Sequence, residues 1–465
     1  MSAPASVKQL LDSQGITYSM TDNSRPDDCD RPLHDHNLRR KGAAKSIILS
    51  DAQGRLLVVM SADSLLDLEM VKKVSGRDLQ AARKEEITAF CKKHDLLSVP
   101  ALPNIAGLPT LIDHRLLDQE FVLLDSGISD NVLQLDQAEF KRLAGEAKVC
   151  EISVPLGPLH DDHHNGEAEE RITSAVKRFT TLRIHQRLEE TLELPPLPDT
   201  AQRIIKLRVD PEADISDLAN IVEMDPSLAA QVVSWASSPY YSAQGEIRSI
   251  HDAIVRVLGF DMVMNLSLGL ALGKTLNMPS DSPRGSTPYW EQAVYTAALV
   301  EGLVTSQPRE NRLGFGMAYL AGLLHNFGTL ILAEVFPPYY SSICRHIEAN
   351  PHVPSYMIEQ HILGVSREQI AGWLMRLWNM PEEVVAALQH QHHPEHDGEF
   401  SGYAKMLFIA QRLLQDKGIG QGSLLEIPNF VFRELHLNKD KVLGTVDNIL
   451  ASSDDLGAIA EQLNA

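Results

Sequence analysis

At 465 residues the chain exceeds the size over which one hydrophobic core keeps growing, so two or three domains are expected. Its composition, 44% apolar and 22% charged, is that of a globular protein with material for large buried cores. The net charge of −20 is uneven: residues 1–150 carry −3 and the remainder −17, so the second part lacks the basic face needed to grip nucleic-acid phosphates.

Four cysteines, Cys29, Cys91, Cys150 and Cys344, lie far apart without a Cys-x-x-Cys pair, which argues against a disulfide framework and a cysteine-based zinc site. The first residues lack a basic stretch followed by an apolar core. The most apolar later stretch, Met317 to Phe336, is interrupted by His325, Asn326 and Glu334. A soluble, cytoplasmic protein with no membrane association is the expectation.

Val7 to Gln14 reads as a short helix closed by Gly15. The β-branched runs Lys45 to Leu49 and Arg55 to Met60 flank Asp51-Ala52-Gln53-Gly54 and predict a hairpin. Strand-like runs recur at Thr110 to Asp113, Glu120 to Asp125 and Asn131 to Leu135, with helix-like segments at Leu66 to Val74 and Glu85 to His94. Residues 1–150 therefore read as an α+β domain. A patch from Arg39, Arg40, Lys41 and Lys45 is either a solvated surface or a place for a tRNA end.

Residues 151–192 read as a linker and connecting helix. The run His160-Asp161-Asp162-His163-His164-Asn165-Gly166-Glu167 has no aliphatic residue, and its histidines lack the fixed frame that a metal site needs. Ala168 to Leu192 is a charged helix, broken by Leu194-Pro195-Pro196-Leu197-Pro198, after which Asp199 stands as an N-cap. Helices are then expected at Ile215 to Glu223, Pro226 to Ser237, Ile250 to Leu258, Gly269 to Leu276, Trp290 to Thr305 and Phe315 to Phe336. The series continues at Tyr339 to Ala349, Ser355 to Leu363, Arg367 to Trp378 and Glu382 to Gln391. Residues 193–414 are thus an all-α domain. Residues 415–465 form a helical extension, with Phe430, Phe432, Leu435, Val442 and Leu443 inward, that closes the bundle or makes a dimer contact.

In Leu323-Leu324-His325-Asn326-Phe327-Gly328, a His followed by a short polar residue sits on an apolar helix. The pair resembles the His-Asp signature of HD phosphohydrolases, whose imidazole and carboxylate hold a divalent metal that activates water. Asn326 stands where that Asp would be, and an amide is a poor ligand for a hard cation. Gln292 occupies the position of an upstream His ligand, and Ser366 aligns with a later one. Met224-Asp225-Pro226-Ser227-Leu228, Ser237-Ser238-Pro239-Tyr240-Tyr241, Ile250-His251-Asp252-Ala253-Ile254, Trp378-Asn379-Met380-Pro381 and His390-Gln391-His392-His393-Pro394 resemble the HDOD family. That resemblance implies a signalling or regulatory domain with no general catalytic activity, no metal and no cofactor, acting through an unidentified protein partner. His325, His392 and His393 are then either remnants of a metal or nucleotide pocket, or a hydrogen-bonded core histidine and a polar helix end.

The N-terminal domain carries a second resemblance. Lys41-Gly42-Ala43-Ala44-Lys45-Ser46-Ile47-Ile48-Leu49 is similar to a strand of the YbaK/ProX family, whose members hydrolyse misacylated tRNA. The resemblance implies a substrate site with Lys45 as its catalytic residue. Val99 and Pro100 would come from the cradling loop, and Gly127, Asp130 and Asn131 from the segment ahead of the last strand. Family members place glycine before the Val-Pro step, whereas Leu97 and Ser98 stand here. No nucleophile, base and orienter set is visible.

Two functions compete. One is a non-catalytic regulatory protein in which the editing-like domain binds a tRNA end or an amino-acid-like molecule, with no DNA and no membrane involved. The other is a trans-acting aminoacyl-tRNA deacylase regulated by the HDOD domain. An active phosphohydrolase on cyclic dinucleotides is disfavoured by three weakened ligand positions.

Overall fold

In the computed structural model the described residues are 5–22, 42–125, 131–145, 147–157, 196–241, 245–420 and 427–464. The chain divides into two compact units. The first comprises Met1–His163 with Ser342–Ile358, and the second His164–Ser341 with Glu359–Ala465. Periodicity puts Ser342–Ile358 in the middle of the helical series, yet its contacts make it part of the first unit. The charged helix expected at Ala168 to Leu192, the polar run from His160 to Glu167 and Arg39 to Lys41 lie outside the described residues.

The first unit is α+β. Its five-stranded sheet has the order β5 (Gln80–Ala81), β2 (Ala44–Asp51), β3 (Gly54–Ser61), β6 (Thr110–Asp113), β9 (Lys148–Cys150). β2 and β3 form the expected antiparallel hairpin, Lys45 opposite Met60 and Asp51 opposite Gly54, and β3 runs parallel to β6. A three-stranded antiparallel sheet, β1 (Ser19–Asp22), β8 (Asn131–Asp136) and β7 (Phe121–Asp125), joins it through a bridge between Ala43 and Leu123. β4 (Ser64–Leu66) pairs with β10 (Ser153–Pro155).

The central hairpin is buried on both faces, which is why its strands read as continuous apolar runs rather than alternation. Ile48, Leu57 and Val59 join one core with Val122, Leu133, Phe140 of α4 (Gln137–Ala144) and Leu11 of α1 (Ala5–Ser13). Ile47, Leu49, Val58 and Met60 join the other with Leu66, Ile152, Val71 of α2 (Leu68–Ser75) and Ala349. The helix expected from Leu66 begins at Leu68, because the Asp67 carboxylate accepts from Glu69 and Met70 N–H and Leu66 is already a strand residue. α3 (Lys84–Lys93) follows the expected course. The short strands β1, β5, β9 and β10 escaped sequence reading because segments of two to four residues carry no measurable period.

The second unit is helical throughout its described residues: α5 (Asp199–Arg208), α6 (Ile215–Glu223), α7 (Pro226–Ala236), α8 (Ile250–Ala253), α9 (Phe260–Gly273) and α10 (Tyr289–Ser306) lead into α11 (Phe315–Leu324) and α12 (Phe327–Val335). α13 (Pro337–Ala349) and α14 (Ser355–Leu363) carry the segment that belongs to the first unit. α15 (Arg367–Leu377), α16 (Glu382–His390), α17 (Ser401–Asp416), α18 (Asn429–Glu434), α19 (Lys439–Ala451) and α20 (Ser453–Asn464) complete the chain.

Asp214 and Asp225 cap α6 and α7, whereas Asp199 lies inside α5, its carboxylate paired with Arg203 at 2.7 Å; the cap position is Pro198. Ile250 to Leu258 is an α-turn followed by a π-turn over Ile254–Leu258. Gly322 lets α11 approach α10 closely, since a Cβ there would lie 2.7 Å from Ala297 Cα. The stretch Phe315–Val335 is long and apolar enough to cross a membrane, but its most apolar 18 residues are 89% buried inside the protein and it breaks at His325-Asn326. The C-terminal helices close the bundle: Gln307 donates to Leu435 O at 2.9 Å and Tyr295 to Ser453 O at 3.1 Å. Phe432, Leu435 and Val442 are buried, Phe430 is half-buried, and Leu443, expected inward, is 52% exposed on the outer side of α19.

Candidate functional site

The break between α11 and α12 places His325 and Asn326 at a helix junction rather than mid-helix. Nδ1 of His325 lies 2.8 Å from Gly322 O, so that nitrogen carries the proton, and the His325 carbonyl accepts from Gln391 Nε2 at 3.0 Å. Gln391 Oε1 in turn accepts from Gln411 Nε2 at 2.6 Å. Burial drives the His325 imidazole down to about 4, with the neighbouring His392 and Arg367 adding to the depression, so the ring is neutral at physiological pH. A pair of glutamines therefore ties this residue into the core from α16 and α17.

The amides at the HD positions are committed to backbone carbonyls. Asn326 Nδ2 donates to Tyr289 O at 2.9 Å and Gln292 Nε2 to Thr287 O at 2.5 Å. Ser366 caps α15 in a reciprocal capping box, its Oγ accepting from Gln369 N and its own N–H donating to Gln369 Oε1. His392 points to Glu368, Nε2 to Oε1 3.2 Å, and burial of that carboxylate is outweighed by His392 and Arg367, which hold it well below the usual range. Arg367 is clamped on the fully buried Glu359, which accepts from its backbone N–H at 2.7 Å and from its guanidinium, while Nη1 reaches Thr329 at 3.0 Å. His393 adjoins this cluster along the chain, its N–H donating to His390 O.

These residues do not fit a divalent metal. Among the described residues no three His, Cys, Asp or Glu side chains gather as a ligand set. The acceptor left at the signature position, Asn326 Oδ1, is buried without a partner and carries no charge to offset a dication. Glu359, Arg367, Glu368, Gln391 and Gln411 were not singled out in the sequence, because an Arg-Glu step after a helix cap reads as an ordinary first turn. Only the packing of α14, α15, α16 and α17 reveals the network.

In the first unit Lys45 is half-buried on β2 and makes no hydrogen bond or ion pair with a described residue. Strand alternation puts it on the side of Ile47 and Leu49, the face covered by Ala349. Ser46 faces the other way, its Oγ donating to Val99 O at 2.6 Å. Lys45 and the Val99-Pro100 loop thus leave β2 on opposite faces. Leu97 is 75% exposed and fills no pocket, while Ser98 pins the loop to Asp125 at 2.8 Å. Asn131 opens β8, and Gly127 and Asp130 lie outside the described residues.

Residues 194–394 match the HDOD domain family and residues 35–143 the aminoacyl-tRNA editing domain family. A crystal structure from Marinobacter aquaeolei VT8, provisionally named a signal transduction protein, is 42% identical with a TM-score of 0.87, and the match covers 100% of both chains. The chain belongs to that protein's family, HDOD proteins with an aminoacyl-tRNA editing domain.

An HDOD domain protein of unknown function from Geobacter sulfurreducens is 23% identical with a TM-score of 0.49, over 62% of this chain and 98% of that one. An uncharacterised protein of Treponema pallidum is 22% identical over 262 residues, 56% of this chain, and the match spans about half of that curated relative's length, 50%. In this HDOD protein the editing domain is not confined to residues 35–143. Asn350 Oδ1 accepts from Leu66 N at 2.7 Å, and its Nδ2 donates to Leu66 O at 3.0 Å and His346 O at 2.9 Å. His346 Nε2 accepts from Leu68 N at 3.2 Å, and His352 Nε2 lies 3.1 Å from Ser64 O.

Proposed function

We propose that this HDOD protein is a bacterial regulatory protein of the cytoplasm, in which a non-catalytic HDOD domain relays to a protein partner and the editing-type domain binds an aminoacyl-like ligand or a tRNA end. The observation that carries the reading is the use of the HD positions: Asn326 and Gln292 hold backbone carbonyls, Ser366 caps a helix, and no ligand set takes their place among the described residues. A donor set that does not fit a divalent metal offers no means of lowering the pKa of water for phosphodiester hydrolysis at this place. The acidic balance of residues 151–465 further disfavours a nucleic acid there.

A second reading, a trans-acting deacylase, is favoured by one observation, the ammonium of Lys45, which has no partner among the described residues, in the strand that matches the editing family. Incubating the full chain with a panel of mischarged tRNAs separates the two. Flat time courses across the panel are the expected result, and hydrolysis that disappears in Lys45→Ala establishes the enzyme.

A further inference from the structure

The face of β2 that bears Lys45 is completed by a residue far outside the span matching the editing family. Ala349 enters the core beneath Ile47 and Leu49, and the turn after α13 brings His352 to Ser64 O. Lys45 and Ser64 stand at the same end of the hairpin: Lys45 is the second residue of β2, and Ala44 lies opposite Ser61 at the end of β3. Ser64 follows after a two-residue turn, in which Ala62 N–H donates to Ala43 O at 2.8 Å, to open β4, whose Leu66 packs with Ile47, Leu49 and Ala349 on the Lys45 face. Burial, and after it the charge of Lys45, holds the His352 imidazole down at about 4.

His352 is therefore neutral, with its proton on Nε2 facing the Ser64 carbonyl and a lone pair on Nδ1. That Nδ1 is out of contact with solvent and has no partner. A buried acceptor left unmade costs on the order of 1–3 kcal/mol and calls for an explanation. Lys45 presents the complement, a half-buried ammonium with three donors and no acceptor.

We propose that Lys45 and His352 form one ligand site, in which the Lys45 ammonium donates to a carboxyl or ester-carbonyl oxygen and His352 Nδ1 accepts from an adjacent N–H. An α-amino carbonyl group carries those two functions on neighbouring atoms, so the ligand is an amino acid or the aminoacyl end of a larger molecule. His352 is a binding and positioning residue, contributed by a segment that sequence order assigns to the HDOD domain. The ring as a whole is half-buried, so a side-chain rotation suffices to open its Nδ1 edge. The proposal rests on the ligand-binding reading of the editing-type domain.

Calorimetric titration of the full chain with each free L-amino acid and with 3′-aminoacyl-amide analogues of adenosine tests it. The two arms distinguish a free amino acid from an aminoacyl end. The expected result is that at least one probe binds and that Lys45→Gln and His352→Gln each weaken it about tenfold or more, the loss that one charge-assisted or buried hydrogen bond predicts. His352→Gln keeps an amide to donate to Ser64 O while removing the Nδ1 acceptor, so its melting temperature stays near that of the unaltered protein. Should that variant fail to fold, ¹⁵N-histidine spectra of the unaltered chain decide, since the His352 Nδ1 resonance must move when the probe is added. Unchanged affinity in His352→Gln, or a stationary Nδ1 resonance in a chain that binds the probe, overturns the proposal and leaves the ligand-binding reading standing. Failure of every probe to bind the unaltered chain overturns both.

Discussion

His325 shows how burial and one backbone hydrogen bond fix the state of an imidazole. In a metal site an imidazole needs a lone pair directed at the ion and a hydrogen-bond acceptor for its other nitrogen. Here the acceptor is present, Gly322 O, but the neighbouring side chain is an amide bound to Tyr289 O. What remains is a buried neutral ring, and its protonation is coupled to folding. Because the folded value is about 4 against an ordinary 6.5, the unfolded chain binds a proton in that window that the folded chain refuses, so stability falls as pH drops from 6.5 towards 4. Full titration of such a shift corresponds to roughly 3 kcal/mol. Melting temperatures recorded between pH 7 and 4.5 should decline, and His325→Gln should decline less steeply; equal slopes in the two proteins would show that His325 is not responsible.

At the scale of elements, much of the structure was legible. Ile215–Glu223 and Ser355–Leu363 stand where the sequence pattern places them, because each combines a clear period with a flanking breaker. The single helix read over Phe315 to Phe336 was not, since an apolar run carries no mark of a break whose cause lies in other helices. Gly328 sits just beyond that break, and α12 presses on the start of α15 so tightly that a Cβ at Gly328 would lie 2.3 Å from Arg367 O. Gly328→Ala should therefore lower stability by about 1–3 kcal/mol, with the same backbone carrying the Arg367–Glu359 pair. Gly444→Ala in α19, where a Cβ meets nothing within 4 Å, should raise it by up to about 1 kcal/mol through helix propensity. Urea midpoints of the two variants test the contrast, and a neutral or stabilising Gly328→Ala would refute the close contact.

At the scale of the whole molecule, the first unit is built from two separated stretches of chain, Met1–His163 and Ser342–Ile358. Asn350 gives Leu66 both the donor and the acceptor that a neighbouring strand would supply, at a fully buried position. Expressed alone, residues 1–163 would leave Leu66 N–H and C=O and the Leu68 N–H without these partners and would uncover the core at Ala349. The fragment should aggregate or lose its cooperative melt. A fragment melting at the temperature of this unit in the full chain would show that the second stretch is dispensable.

The sequence by itself determined the two-part architecture, the hairpin of β2 and β3 and the helical series, because these depend on local period and on turn chemistry. Tertiary structure alone decided that Lys45 and the Val99 loop leave β2 on opposite faces and that Glu359, Arg367, Glu368 and His392 form one network. It also decided that Asn350 and His352 belong beside β4 rather than with the helices around them. Those relations join residues up to 288 positions apart, and no local period reports on which distant side chain will satisfy a buried polar group.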